Sequence, residues 1–184
     1  MLILKSVCQD INAPIIIFTY YNPVLKRGIN RFIEEIAHAG AKGLIIPDLP
    51  LEEADELILI CQAKNIELIL FVAPTSSLNR IDVIIQKSPG CIYLVSSTGV
   101  TGLRNSIDNT VMNLAKYIKQ KSNKLIMLGF GISSPLQVQE LSKCNIDGLV
   151  VGTAFVKKLL NCSNRSGMIE LNNFCKSLKC AIDQ

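Results

Sequence analysis

Three loops in the second half of the sequence combine glycine with hydroxyl-bearing residues in the loop or just after it, each directly after an apolar run. They lie at residues 96–102, 129–131 and 152–153. Glycine leaves backbone N–H groups uncovered, and such groups together with hydroxyls bind phosphate oxygens. The last two loops lead into helical patterns, whose amino ends favour anions. The sequence therefore predicts a phosphate site, although glycines needed only for helix–strand packing would give the same pattern.

Groups suited to proton transfer are scarce at the ends of apolar runs. Asp48 is the one carboxylate in such a position. The single histidine, His38, lies in the last turn of a predicted helix, where a surface residue is expected rather than a base. No lysine ends an apolar run, which weighs against a Schiff-base aldolase. The other carboxylates considered fall on predicted helix surfaces: Glu34, Glu35, Glu52, Glu53, Asp55 and Glu56.

The elements that must position these loops are six apolar strands, each followed by a helical pattern. The strands begin near residues 15, 43, 67, 91, 125 and 148, a mean spacing of about 27 residues that suits a compact βα repeat. Continuous apolar strands with helical connections predict a parallel sheet buried on both faces. Special residues after every strand favour a barrel over a doubly wound sheet. We therefore predict one α/β domain over residues 1–184, an incomplete TIM (β/α)8-type barrel of six βα units plus a C-terminal helix. Residues 1–13 are predicted to be the end of a helix entering the first strand.

The helical patterns have definite predicted limits. An amphipathic helix is predicted from residue 28 to 38, after a loop at residues 20–23. Ser133 or Ser134 is predicted to cap the helix that begins with Pro135. The remaining predicted helices span residues 51–64, 78–87, 106–121, 154–160 and about 167–182.

Composition excludes several classes of protein. The chain has 184 residues, 49% hydrophobic, with a net charge of +4, and its basic residues form no stripe with aromatics, so no nucleic-acid partner is expected. No apolar run reaches the roughly 18 residues of a membrane span, and the amino end is too short in its apolar part for a signal peptide. Seven cysteines without paired spacing predict reduced thiols rather than disulfides or zinc. Richness in Ile, Asn and Lys hints at an organellar genome, so the cytoplasm or the plastid stroma is expected.

Six ordered motifs resemble those of the tryptophan synthase alpha subunit: TYYNP, LIIPDLPLEE, FVAPTS, YLVSSTGVTG, LGFGIS and GLVVGTAFV. They cover nearly the whole chain, from the family's third barrel strand to its eighth. The resemblance implies retro-aldol cleavage of indole-3-glycerol phosphate to indole and glyceraldehyde 3-phosphate, with no cofactor. It also implies a beta-subunit partner in an alpha2-beta2 tetramer. Thr153 departs from the family's usual Ser but keeps the hydroxyl.

The resemblance also implies roles for individual residues. Six would bind or close over the phosphate: Thr101, Gly102, Phe130, Gly131, Gly152 and Thr153. Five would shape the indole pocket or lie near it: Phe18, Tyr20, Ile45, Asp48 and Tyr93. Tyr93 could equally be a core aromatic. Two would face the beta subunit: Asn22 and Pro50.

The family's two catalytic carboxylates, a Glu and an Asp, belong to the first two strands, outside the matching motifs. Retro-aldol cleavage needs both a base and an acid, so no catalytic residue is assigned here. Without those strands, the first and last strands would be open hydrophobic edges. The expectation is a truncated gene product, or a start placed too late at Met1. An alternative is an inactive remnant that binds a phosphate ligand or the beta subunit.

Overall fold

The computed structural model describes residues 2–96, 109–129, 131–160 and 165–183. In these ranges each described strand is followed by one or two helices, and the sequence predicts a helix after every strand. The described strands are β1 Ile16–Phe18, β2 Gly43–Ile45, β3 Glu67–Val72, β4 Cys91–Val95, β5 Leu125–Gly129 and β6 Gly148–Val150. The described helices are α1 Leu2–Asp10, α2 Tyr21–Arg27, α3 Ile29–His38, α4 Ala54–Ala63, α5 Leu78–Lys87, α6 Asn109–Lys121, α7 Pro135–Ser142, α8 Thr153–Leu160 and α9 Arg165–Ile182. A 3-10 turn, Leu51–Glu53, precedes α4.

The strands form a sheet whose order follows the chain, β1-β2-β3-β4-β5-β6. The pairs β1–β2, β2–β3 and β5–β6 are parallel. Gly43 of β2 stands in register with Ile16 on one side and Glu67 on the other. Parallel strands joined by helices are the βα units that the sequence predicts.

The chain divides into two compact units. The first comprises the residues up to Phe71 together with Asp82–Ile92. Its core contains all of β2 and the apolar face of α3, where Phe32, Ile33 and Ile36 are buried. This face has the spacing that predicts an amphipathic helix.

The second unit comprises Val72–Ile81 and the residues from Tyr93 onward. Leu94, Ile126 and Leu128 are buried in its strands, and α6 buries one face against its core. Phe155 of α8 contacts Phe174 of α9 edge to ring, with centroids 5.2 Å apart.

The strands at the two ends of the sheet order are less buried than predicted. Ile16 and Phe18 of β1 are 37% and 52% exposed, and all three residues of β6 are only half-buried. Each of these strands has a single hydrogen-bonded neighbour in the sheet order. The prediction that β1 and β6 are buried on both faces was therefore wrong. Their edges match the predicted open edges.

The helix α2 is the main element that the sequence prediction missed. Residues 20–23 were predicted as a loop, but α2 begins at Tyr21, with Pro23 in its first turn, where proline costs no hydrogen bond. Gly28, at φ 85°, then separates α2 from α3. Elsewhere Ser134 is the cap of α7, as one of the two predicted choices, and α9 begins at Arg165, earlier than predicted.

Candidate functional site

Asp48 holds the amino end of α2. It follows β2, and its Oδ1 accepts a hydrogen bond of 2.8 Å from the backbone N–H of Tyr21, the first residue of α2. Tyr20, the residue at the cap position, makes no side-chain cap of its own. A carboxylate here accepts a hydrogen bond from one of the unpaired N–H groups of the first turn. Its negative charge also interacts favourably with the helix dipole. The residue predicted to lie near the indole pocket therefore joins the loops after β1 and β2.

Tyr21 makes a second connection between α2 and the segment after β2. Burial raises the pKa of the Tyr21 hydroxyl, and the charge of Glu53 and a hydrogen bond to that carboxylate raise it further. The hydroxyl stays protonated and donates to Glu53 in the 3-10 turn. The two residues predicted to face a partner, Asn22 and Pro50, are both exposed beside these connections.

The predicted indole-pocket residues of the first unit differ in accessibility. Phe18 and Tyr20 are 52% and 66% exposed, whereas Ile45 is only 4% exposed. The N–H of Thr19 donates to the carbonyl of Ile45 over 3.0 Å, which ties the carboxyl ends of β1 and β2 together. Two exposed aromatics thus lie at the carboxyl end of β1, while Ile45 belongs to the core.

Tyr93 is a buried residue of the second unit, with 2% of its surface exposed. Burial raises the pKa of Tyr93 to about 12, so its hydroxyl is neutral near pH 7. A Cβ added at Gly129 would overlap the Tyr93 hydroxyl and ring. The sequence allows two roles for Tyr93, an indole-pocket residue or a core aromatic. Its burial favours the core role.

The loops predicted to bind phosphate fall partly outside the described residues; Thr101, Gly102 and Phe130 lie there. Gly131 is exposed with a φ of +82°, a conformation that favours glycine. Gly152 and Thr153 are exposed where β6 leads into α8, and no residue that the structure describes lies within 4 Å of a Cβ placed on Gly152. This helix start is open to an anion.

The amino end of α7, by contrast, is occupied by its own side chains. Ser134 Oγ accepts from the N–H of Gln137, 3.4 Å away. The Gln137 Oε1 accepts from the N–H of Ser133 at 2.9 Å. Pro135 contributes no N–H to this turn. Of the two helix starts after β5 and β6, the one at Gly152 is the more accessible to a phosphate.

The carboxylates predicted to lie on helix surfaces do so. Glu34 pairs with Lys64 at 3.0 Å, and hydrogen bonds from Lys64 hold the pKa of Glu34 below its usual value. Asp55 pairs with Lys87 at 2.7 Å. These surface pairs are too exposed to serve as tuned acids or bases.

Two further carboxylates, which the sequence analysis did not single out, lie at the amino ends of strands. Glu67 begins β3 and accepts a hydrogen bond from the N–H of Cys91. Asp147 precedes β6 and accepts one from the N–H of Ile126, 2.7 Å away. Burial alone would raise the pKa of Asp147, but hydrogen bonds from Lys119 and Ile126 and the Lys119 charge outweigh it and lower the pKa. Each of the two carboxylates thus satisfies a backbone N–H near the amino end of a neighbouring strand within its own unit.

Two classes of feature are absent from the described ranges. Among the residues that the structure describes, no group of three or more His, Cys, Asp or Glu side chains could hold a metal ion. None of the described helices is long and apolar enough to cross a membrane.

Comparison with known proteins supports a single family. The model of the family described as "Tryptophan synthase alpha chain" matches residues 1–183. The alpha chain of Antithamnion sp. is 62% identical over 177 residues, which are 96% of this chain and 67% of that relative. The alpha chain of Gracilaria tenuistipitata var. liui is 58% identical over 180 residues, 98% of this chain and 67% of the relative. This chain thus spans about two thirds of the length of these relatives.

Solved structures agree with the sequence matches. A structure described as the tryptophan synthase a2b2 complex of the hyperthermophile Pyrococcus furiosus superposes with a TM-score of 0.87 at 32% identity, covering 96% of this chain and 71% of that one. The predicted resemblance and the predicted barrel-type fold are therefore confirmed. The chain belongs to the tryptophan synthase alpha chain family, the lyases that cleave indole-3-glycerol phosphate in tryptophan biosynthesis.

Proposed function

We propose that this chain binds indole-3-glycerol phosphate through residues at the carboxyl ends of its strands and takes part in its cleavage. In that reaction the bond between indole C3 and the glycerol chain breaks. The neighbouring hydroxyl loses its proton and becomes the aldehyde of glyceraldehyde 3-phosphate, while the indole carbon gains a proton. A base and an acid are needed, and no redox cofactor takes part.

The observation that carries the proposal is the open start of α8. Gly152 and Thr153 are exposed, and the dipole of α8 places partial positive charge there. A phosphate would accept hydrogen bonds from these backbone N–H groups and from the Thr153 hydroxyl. Gly131, exposed at a positive φ in the preceding loop, is proposed to offer another backbone N–H. Thr101, Gly102 and Phe130 are proposed to complete phosphate binding, by family resemblance.

For the indole ring, we propose the exposed aromatics Phe18 and Tyr20 as contacts, since planar apolar surfaces stack favourably on an indole. Ile45 would support these contacts from the core of the first unit. Tyr93 is proposed for the indole pocket by family resemblance alone. Asp48 is proposed to position α2 rather than to transfer a proton, because its Oδ1 is engaged by the Tyr21 N–H.

The cleavage also needs an acid and a base for its two proton transfers. Among the described residues, Asp48 is the only carboxylate in a loop that follows the carboxyl end of a strand. We infer that the two proton transfers depend on carboxylates in the third of the relatives' length that this chain does not match. The same observation favours a second candidate function, ligand binding without turnover by this stretch alone.

We propose a tryptophan synthase beta subunit as the protein partner, with Asn22 and Pro50 on the docking face. Both residues are exposed next to the Asp48–Tyr21 and Tyr21–Glu53 contacts, which join α2 to the segment after β2. For location we propose the plastid stroma or the cytoplasm, in keeping with the algal relatives.

Two measurements on the purified 184-residue chain test this function. The first is titration with glycerol 3-phosphate and with indole-3-glycerol phosphate by calorimetry. The second is release of indole, with and without the beta subunit. We expect saturable binding of both ligands and little release of indole by the chain alone. Rapid release would refute our inference on the carboxylates, and absence of binding by folded chain would refute the proposed function.

A further inference from the structure

The helix α8, whose open start is proposed above to hold the phosphate, has little support of its own. All eight residues of α8 are described, and none of them is buried. The strand that leads into α8 is weakly anchored too, because β6 has one hydrogen-bonded neighbour in the sheet order and is only half-buried. Contacts with another element therefore determine where the start of α8 lies.

The helix α9 supplies such contacts. It packs against both α7 and α8, and its Leu178 and Ala181 are buried in the core of the second unit. The ring of Phe174 in α9 meets the ring of Phe155 in α8 edge to face, at an interplanar angle of 63° with centroids 5.2 Å apart. Aromatic pairs favour this arrangement. Lys158 Nζ of α8 lies over the same Phe174 ring, 5.4 Å from its centroid, which is within the range of a cation–π contact.

The two contacts of the Phe174 ring are with one face of α8, since Phe155 and Lys158 are three positions apart. Phe155 belongs to the first turn. The N–H of Val156 donates to the carbonyl of Gly152 at the start of α8, so the N–H of Phe155 is among those that precede this bond. A contact that fixes the side chain of Phe155 therefore also fixes backbone N–H groups that the phosphate would use.

We propose that Phe174 is a positioning residue for phosphate binding, whose ring holds α8 where the start of the helix accepts a phosphate monoester. The inference rests on the proposed function, because it needs the phosphate at that start. Phe174 acts on the ligand only through Phe155. When the ring contact is lost, a smaller fraction of chains has α8 in place, and the apparent affinity falls in proportion to that fraction.

The test is the affinity of the 184-residue chain for glycerol 3-phosphate, measured by calorimetry. Phe174→Leu keeps an apolar side chain but removes the ring, and it is expected to weaken binding by about fivefold. Phe174→Tyr keeps the ring and is expected to bind as the unsubstituted chain does. Phe155→Leu should match Phe174→Leu, and the double variant should bind about as weakly as either single variant, because both changes remove one contact. Ile118→Val, which shortens a buried side chain of α6, is the matched control for lost packing and should leave the affinity unchanged.

Backbone N–H resonances distinguish positioning from damage to the site. In Phe174→Leu the resonances of Gly152 and Thr153 are expected to reach the same final positions as in the unsubstituted chain, but at about five times the ligand concentration. Different final positions would mean that the site itself has changed, and would overturn the inference.

The outcomes separate this inference from the proposed function. If the unsubstituted chain binds glycerol 3-phosphate and Phe174→Leu binds it equally well, the inference on Phe174 fails and the proposed function stands. Equal weakening by Ile118→Val, or no rescue by Phe174→Tyr, would also overturn it, because the loss would not come from the ring contact. If the folded unsubstituted chain does not bind, the proposed function fails and this inference fails with it. Thermal melting shows whether each variant is folded, and Phe155→Leu tests the same contact from α8 if Phe174→Leu is not.

Discussion

Gly129 ends β5, in register with Val150, and Gly152 follows the end of β6 by two residues, yet the structure gives the two glycines different tasks. Gly129 is buried, and Tyr93 occupies the space that its side chain would need. Gly152 is exposed, and within the described ranges no atom comes within 4 Å of a Cβ placed there. Gly129 therefore allows close packing against Tyr93, and Gly152 leaves the start of α8 accessible. The two explanations that the sequence allows for glycine-rich loops therefore apply to different loops of the same protein.

The helix starts after these glycines differ in the same way. The first turn of α7 is satisfied by Ser134 and Gln137 from its own chain. The start of α8 offers the Gly152 carbonyl to the N–H of Val156 at 3.1 Å, as a cap residue does. Its exposed N–H groups are the ones left for a ligand.

The largest expected effect is the loss of packing between Gly129 and Tyr93. Gly129→Ala places a methyl group against the Tyr93 ring and should lower the free energy of unfolding by about 3 kcal/mol, as overpacking of a core does. Urea unfolding followed by circular dichroism measures it. Gly152→Ala is the control and should cost well under about 1 kcal/mol, because space is available.

A second variant shows whether Tyr93 is the cause. Adding Tyr93→Leu to Gly129→Ala should cost less than the two single changes together, because the neighbouring pair is coupled. Strict additivity, or an unchanged stability of Gly129→Ala, would contradict the assignment of Gly129 to packing.

The second largest effect is expected on phosphate binding at the start of α8. Gly152→Asp puts a carboxylate at the cap of α8, where it competes with the phosphate for the N–H groups and repels its charge. We expect the affinity for glycerol 3-phosphate to fall by about 30-fold, the equivalent of about 2 kcal/mol. The free energy of unfolding should hold or rise by a few tenths of a kcal/mol, since Asp is a good cap residue. Calorimetric titration and urea unfolding of the same preparation give both values. Binding that survives Gly152→Asp would place the phosphate elsewhere.

The smallest effect concerns α7. Ser134→Ala removes the cap and should cost about 0.5–1 kcal/mol of stability, the lower part of the range for caps, since its hydrogen bond is long. Glycerol 3-phosphate should bind this variant as it binds the unsubstituted chain. A loss of binding without a loss of stability would mean that the start of α7 also serves the ligand.

Much of the fold follows from local sequence. Apolar runs such as residues 67–72 and 91–95 predict their strands, and the spacing of Phe32, Ile33 and Ile36 predicts α3. These patterns suffice because each of these elements buries most of its own run or face of apolar residues.

The features that the sequence could not supply depend on contacts between distant residues. The start of α2 is satisfied by Asp48, 27 positions further along the chain, and Asn22-Pro23 by themselves are typical of a turn. The difference between Gly129 and Gly152 depends on Tyr93, a residue of another strand. The exposure of β1 follows from its place at the end of the sheet order; the family resemblance indicated an open edge there, but no local pattern records it.

The most direct test of the account is an NMR titration of the labelled chain with glycerol 3-phosphate, observing backbone N–H resonances. We predict that the resonances of Gly152 and Thr153 shift progressively and saturate, while that of Gln137, whose N–H is bound to Ser134, stays in place. Saturating shifts at Gln137 with none at Gly152 and Thr153 would contradict the claim that the open start of α8 holds the phosphate.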